Sequence, residues 1–151
     1  MIIKFDDREP TSTEMMMKLV DDDVLMLRTR LECGDYVWED VCIERKTIDD
    51  FCGSIMDGRI ANQVDRMNDM YKENFVIVVG RIKDRTCEIH ENCVLGKITS
   101  LVVKHGINVI CVDDEFQFLY LMKRIFEKYE EIREGKRKEL NDVVKKLEEV
   151  E

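Results

Sequence analysis

The run Phe75-Val76-Ile77-Val78-Val79, closed by Gly80, is the segment that most restricts what this chain can fold into. It holds no polar residue and is rich in β-branched side chains, the pattern of a strand buried on both faces. Such a strand needs covering layers on both sides of its sheet. The neighbouring segments supply them, because strand-like and helix-like stretches alternate along the chain. That alternation indicates an α/β domain with one mixed central sheet flanked by helices.

Residues 2–5 read as a short strand ending in Asp6-Asp7-Arg8-Glu9. Pro10 and Thr11 open a helix over residues 14–20, with Met15, Met16 and Leu19 available for packing, and Asp21-Asp22-Asp23 is a solvated connection. Residues 24–31 form a strand, Cys33-Gly34-Asp35 a turn, and residues 36–38 and 41–44 a hairpin around Glu39-Asp40. Thr47 caps the next helix with Asp50 three residues on, and Phe51, Ile55 and Met56 share one face. Asp57-Gly58 breaks it, and residues 59–71 form a second helix with Ile60, Val64, Met67 and Tyr71 at helical spacing. Residues 92–105 are amphipathic through Val94, Ile98, Leu101 and Val102, residues 107–112 form a strand, and residues 115–129 a long helix. This predicts a domain over residues 1–129 and a charged helical tail over 130–151. In the tail Gly135 is expected to interrupt the helix, and Leu140, Val143, Val144, Leu147 and Val150 make a narrow apolar stripe.

The chain carries 24 Lys and Arg against 33 Asp and Glu, a net charge of −9. That balance argues against holding nucleic acid by bulk charge. It leaves room for an enzyme whose acidic residues hold a metal in a DNA cleft. No apolar run reaches the roughly 18 residues of a membrane span. The start meets charge at Lys4 and Asp6, unlike a signal peptide, so the expectation is an intracellular protein with no membrane partner. Six cysteines, several of them in apolar stretches, fit buried thiols in a reducing compartment. Cys87, His90 and Cys93 could present three metal ligands around a turn. They lack a clear fourth, since His105 and Cys111 are distant, and a polar loop with two ordinary thiols is the preferred reading.

The chemistry concentrates in Cys42-Ile-Glu-Arg-Lys-Thr-Ile-Asp-Asp50. Glu44 and Lys46 stand two apart on a strand and face the same side. A hairpin can bring Asp35 beside Glu44, with Asp6 as a third carboxylate at the end of the first strand. Two carboxylates can hold a hard divalent cation, which polarises a phosphate and activates water, while a lysine orients that water and stabilises developing charge. A Glu-Arg-Lys cluster alone is a common surface feature, and Asp49 and Asp50 alone complement a helix dipole. On spacing alone, a metal-dependent nuclease and a charged surface stand about level.

The segment Gly34-Asp35-Tyr36 … Glu44-Arg45-Lys46-x-x-x-Asp50 resembles the GD…ERKxxxD signature of the XPF-type structure-specific endonucleases. Asp6-x-Arg8-Glu9 is similar to that family's first-strand motif, and Gly53-Ser54-Ile55 and Gly58-Arg59-Ile60 … Gln63 extend the resemblance over residues 3–80. It implies a restriction-endonuclease-like fold, Mg²⁺ or Mn²⁺, and nicking of duplex DNA near single-strand/double-strand junctions such as flaps, forks and splayed arms, in repair or recombination. It also implies that Asp35 and Glu44 are metal ligands, with the Arg45 carbonyl as a third, and that Lys46 is the base or the water-positioning group. Asp6, Arg8, Glu9 and Asp50 complete the site or its surroundings. Arg59, Gln63 and Arg66, opposite the apolar stripe of their helix, can reach DNA phosphate or orient carboxylates.

Family members usually add a tandem helix-hairpin-helix domain, and some add a helicase domain; this chain shows neither, so it reads as an excised domain or a minimal nuclease. The expected partner is a second copy, with an inactive paralogue or a separate DNA-binding protein as the alternatives. The retained acidic and lysine residues favour an active subunit over a scaffold. A resolvase-like nuclease acting on four-way junctions stays open.

Overall fold

The computed structural model describes residues 1–21 and 23–150, without the side chains of Leu19 and Val20. The expected packing of Leu19 and the middle of the Asp21–Asp23 connection therefore lie outside the described residues. In chain order the elements are β1 (Ile2–Asp6), α1 (Thr11–Val20), β2 (Leu25–Thr29), β3 (Tyr36–Trp38), β4 (Val41–Thr47), α2 (Ile48–Met56), α3 (Arg59–Met70), β5 (Glu73–Val79), a 3-10 turn at Ile82–Asp84, α4 (Glu91–Val103), β6 (Asn108–Val112) and α5 (Glu115–Val150).

The strands make one six-stranded sheet in the order β2-β1-β3-β4-β5-β6. β1–β2, β4–β5 and β5–β6 are parallel, while β3 runs antiparallel to both β1 and β4. The apolar run behaves as its composition requires: Val76, Ile77 and Val78 are fully buried in β5, which is hydrogen-bonded on both edges. One face of the sheet puts Val37, Cys42, Val76 and Val78 against Phe51, Cys52, Ile60, Val64, Met67, Val94 and Leu101 of α2, α3 and α4. The opposite face carries a row of rings, Phe5 stacked on Tyr36 at 6.5 Å and Phe118 tilted against Tyr36 at 5.5 Å. Burial of this kind stabilises by roughly 25 cal/mol per Å² of apolar surface removed from water.

The short β3–β4 hairpin turns at Glu39, whose φ is +50°. β4 then passes directly into α2. There Thr47 Oγ1 accepts the Asp50 N–H at 3.2 Å, the expected cap. Close by, Gly80 has a φ of +115°, and a Cβ on it would lie 2.8 Å from Ile48 Cγ2. Only glycine lets the chain leave β5 so near the start of α2.

Three expectations need correction. The buried stripe of α2 is Ile48, Phe51 and Cys52 with Ile55 partly buried, and Met56 is exposed, because Met56 falls about 100° past Ile55 around the helix. Gly135 does not interrupt the helix: α5 is continuous from Glu115 to Val150, as strong helix formers surround that one glycine. The amphipathic face of α4 divides, with Val94 and Leu101 in the core and Leu95, Val102 and Val103 exposed.

The chain separates into two compact units, Met1–Leu119 and Tyr120–Glu151. The second is helical and charged, with ion pairs Lys123–Glu127 at 3.2 Å, Arg124–Glu127 at 2.6 Å and Lys128–Glu131 at 3.2 Å. Leu140, Val143, Val144, Leu147 and Val150 are exposed along it. Among the described residues no helix is long and apolar enough to cross a membrane.

Candidate active site

Gly34 determines where Asp35 can stand. Its φ is +81°, and a Cβ there would collide with Cys42 Sγ, so the loop before β3 approaches β4 as closely as glycine allows. Asp35 is then locked on both sides by its backbone. Its N–H donates to the Ile43 carbonyl at 3.1 Å, and its carbonyl accepts the Asp6 N–H at 2.8 Å. Its side chain turns to β4, where Oδ2 accepts the Arg45 N–H at 2.8 Å.

The period of two along β4 sends Glu44 and Lys46 to the side where Asp35 waits and Arg45 to the other. The Asp35 and Glu44 carboxyl groups line the cleft as neighbours and influence each other's charge. Lys46 Nζ stands 3.9 Å from Glu44 Oε1, and both side chains are largely shielded from solvent. Burial first, then the charges of Glu44 and Glu9, push the Asp35 carboxyl up to about 9. Burial likewise raises Glu44, with Lys46 opposing it and Glu9 adding to it. Burial thus favours the protonated form of the pair more than Lys46 and the Arg45 N–H favour the ionised one.

A cleft of about 270 Å³ opens over this pair, lined by Asp6, Arg8, Glu9, Glu32, Cys33, Gly34, Asp35, Glu44, Gln63, Arg66 and Met67. Asp6 reaches it with both oxygens already engaged. Oδ1 accepts Arg8 Nη2 at 3.1 Å and the Leu31 N–H at 3.0 Å, and Oδ2 accepts Arg8 Nε at 2.6 Å and the Arg8 N–H at 3.2 Å. The Arg8 guanidinium, ahead of the opposing effect of burial, holds the Asp6 carboxyl below the usual carboxylate range. Asp6 thus orients Arg8 and ties β1 to the segment after β2. On α3, Gln63 Oε1 is buried with no hydrogen-bond partner among the described residues, and Arg66 Nη2 donates to the Glu32 carbonyl at 3.0 Å.

Not every expected residue arrives. Asp50 is exposed on the first turn of α2 and lies outside the cleft lining. Arg59 sits at the start of α3, ion-paired to Asp57 at 2.6 Å, also outside it. The Arg45 guanidinium leaves by the opposite face of the sheet, where it pairs with Glu115 through Nε at 3.0 Å and through Nη2, and lies 3.9 Å from Glu9 and 5.9 Å from the Phe118 ring centre. Glu9 also accepts the Tyr36 hydroxyl at 3.0 Å.

Other participants were not visible in the sequence. Glu32 and Cys33 line the cleft, and their one signal is adjacency to Gly34-Asp35. Tyr71, assigned to an apolar stripe, donates its hydroxyl to the Cys33 carbonyl at 3.1 Å and tethers the same loop.

Among the described residues no three His, Cys, Asp or Glu side chains are arranged to hold a metal. His90 Nδ1 instead accepts the Asn92 N–H at 3.0 Å and caps α4, while Cys93 is exposed and Cys87 lies beside Cys52. What the cleft offers is Asp35 and Glu44, with Lys46 beside Glu44. Two adjacent carboxyl groups suit a hard cation that keeps several waters, and such a cation would favour their ionised forms against the effect of burial.

A family model described as the ERCC4 domain matches residues 5–125. The chain is 38% identical over 105 residues to a Methanocaldococcus jannaschii protein named as an ATP-dependent RNA helicase, covering 69% of this chain and 13% of that one. It is 27% identical over 129 residues to the 3′-flap repair endonuclease Xpf of Saccharolobus solfataricus, covering 83% and 54%. A solved structure of XPF from Aeropyrum pernix in complex with DNA matches with a TM-score of 0.73 at 26% identity, covering 84% of this chain and 65% of that one. The chain spans less than two thirds of the length of each of these three proteins.

Proposed function

The chain belongs to the ERCC4-domain family, and on that premise we propose that it is a divalent-metal-dependent DNA endonuclease that nicks duplex DNA beside a single-strand/double-strand junction. The observation that carries this reading is that Asp35 and Glu44 line one cleft together, with Lys46 Nζ 3.9 Å from Glu44 Oε1. Support for DNA as the substrate comes from the repair endonuclease and the DNA-bound XPF among its relatives.

Asp35, Glu44 and the Arg45 carbonyl would hold Mg²⁺ or Mn²⁺. When bound there, the cation supplies Lewis-acid polarisation of the scissile phosphate and lowers the pKa of a coordinated water. Lys46 orients the attacking water and sets positive charge beside the phosphate as negative charge develops. Arg8, held bidentately by Asp6, presents its exposed guanidinium at the cleft mouth for a neighbouring phosphate. Gln63 and Arg66 line the α3 wall, where a backbone phosphate or an ordered water can use the unpaired Gln63 oxygen and the remaining Arg66 donors. The working form would be a pair of copies that covers Leu95, Val102 and Val103 of α4, acting inside the cell where its DNA is.

Incubating the chain with labelled flap, fork, four-way junction and plain duplex, under Mg²⁺, Mn²⁺ or chelator, tests the reading. Metal-dependent nicking confined to the branched substrates is expected. Binding with no cleavage in either metal would replace the enzyme by a scaffold subunit, and preference for the four-way junction would move it to the resolvases.

A further inference from the structure

Arg45 holds the site from two directions at once. Its N–H fixes Asp35 on one face of the sheet, and its side chain, only 16% exposed, carries the guanidinium to the other. That guanidinium has two carboxylates in reach. Glu115, on the first turn of α5, takes it through two nitrogens, and Glu9 stands at 3.9 Å. Glu115 and Glu9 differ in what else they do. Glu115 belongs to the opposite side of the sheet, against Pro10, Thr13, Met16 and Leu119. Glu9 lines the catalytic cleft beside Asp35 and Glu44, and its charge is felt by both.

From this geometry we infer that Glu115 is a positioning residue for the metal site: by claiming the Arg45 guanidinium it leaves the Glu9 charge free to act in the cleft. The physical argument is competition for one partly buried cation. A bidentate carboxylate–guanidinium pair outcompetes a contact at 3.9 Å. Remove the Glu115 charge, and Glu9, already at 3.9 Å, is the remaining carboxylate paired with this largely shielded cation. Arg45 then swings toward Glu9, neutralises it, and lowers the negative potential where Asp35 and Glu44 meet a cation. The first turn of α5 would thereby set how strongly a cleft on the other face binds its metal. Nothing in the motif near residues 34–50 points to position 115, which lies 70 residues away in the chain from Arg45.

The inference rests on the metal-dependent reading above, so its test separates the two. Mn²⁺ binding to the full chain is measured by isothermal titration calorimetry in the absence of DNA, with thermal melting in chelator as the check of fold. If wild-type protein takes up no Mn²⁺, the metal reading falls and this inference with it. Given binding by the wild type, Glu115→Gln should bind Mn²⁺ roughly fivefold more weakly with a cooperative melt retained, and Glu115→Asp should recover most of the loss. The decisive arm is the Glu9→Gln background. There is then no Glu9 charge to neutralise, and Glu115→Gln should add nothing to the change that Glu9→Gln causes. Unchanged Mn²⁺ affinity in Glu115→Gln would overturn the inference. So would an equal further loss in the Glu9→Gln background, since that is the behaviour of a residue that merely props the fold.

Discussion

Each residue of the cleft can be asked what its charge costs the fold when no cation is bound. Asp35 is raised to about 9 by burial, then by Glu44 and Glu9. An acid whose folded-state pKa lies above its unfolded value holds its proton more tightly in the folded state. Between the ordinary aspartate value of 3.8 and about 9 the unfolded chain ionises first, so this residue withdraws stability as pH rises. In chelator the melting temperature of the wild type should therefore fall from about pH 5 to about pH 8, and Asp35→Asn should remove much of that slope and melt about 5 °C higher at the upper pH. Melting curves at the two pH values decide it, and an identical slope in both proteins would refute the assignment. Asp35→Asn, Glu44→Gln and Lys46→Ala should each lower nicking of a flap more than about a hundredfold while keeping a cooperative melt; wild-type rates in all three would mean the chemistry lies elsewhere. The placement of these three was legible because short-range rules govern it: strand alternation for Glu44 and Lys46, a Gly-Asp turn into a hairpin for Asp35. Asp6 was legible as a carboxylate near the site but not in its role, since its donors include Leu31, which is 25 residues away in the chain. Arg45 shows the same limit, because its alternation out of the cleft follows from the sequence while its partner Glu115 follows only from where the first turn of α5 docks.

Elements in this fold owe their positions to a few tight approaches as much as to apolar burial. At Gly34 two demands coincide, a φ of +81° and contact with the buried Cys42 sulfur. Gly34→Ala should cost roughly 2–3 kcal/mol, from the left-handed backbone and the collision together. In a Cys42→Ala background the additional cost should shrink toward the roughly 1–2 kcal/mol of backbone strain alone. Urea denaturation of the four proteins closes this cycle, and equal costs in both backgrounds would show that the sulfur does not set the loop. Gly135 is the opposite case. It is exposed and helical, and a Cβ added to it would meet nothing within 4 Å. Gly135→Ala should stabilise that part of α5 by roughly 0.5–1 kcal/mol, read as slower hydrogen exchange of the amides around it. Strand and helix order was legible from apolar periodicity, because a central strand and amphipathic helices have distinct periods. Reading Gly135 as a break was wrong for a reason of magnitude: one glycine among Glu, Arg and Lys costs too little to end a long helix.

For the whole molecule the governing quantity is charge. At −9 the chain repels DNA at long range, and the basic residues near the cleft are few. Arg8 is tied to Asp6, Arg59 to Asp57, Arg66 to the Glu32 carbonyl, and Arg45 points away from the cleft. Phosphate contacts determine both nonspecific affinity and its salt dependence, so few of them mean weak binding and a shallow slope of affinity against salt. The cleft is lined by Asp6, Glu9, Glu32, Asp35 and Glu44 against Arg8 and Arg66, an acidic balance that opposes an approaching phosphate until a cation offsets it. Metal should therefore matter more to DNA binding here than in a basic DNA-binding domain. Pairing of two copies through the exposed Leu95, Val102 and Val103 would double the contacts without changing the sign of the field, and sedimentation at high micromolar concentration should show a species of twice 17.9 kDa. The measurement for affinity is titration of a labelled flap with Lys46→Ala protein, which should not cut, at near-physiological salt with Ca²⁺ and then with chelator. Binding should be micromolar or weaker in Ca²⁺, on the order of −8 kcal/mol or less favourable, and weaker again in chelator. Tight binding on the order of nanomolar that ignores the chelator would mean that a basic surface remote from the cleft carries the DNA and that the acidic balance of the chain does not govern its grip.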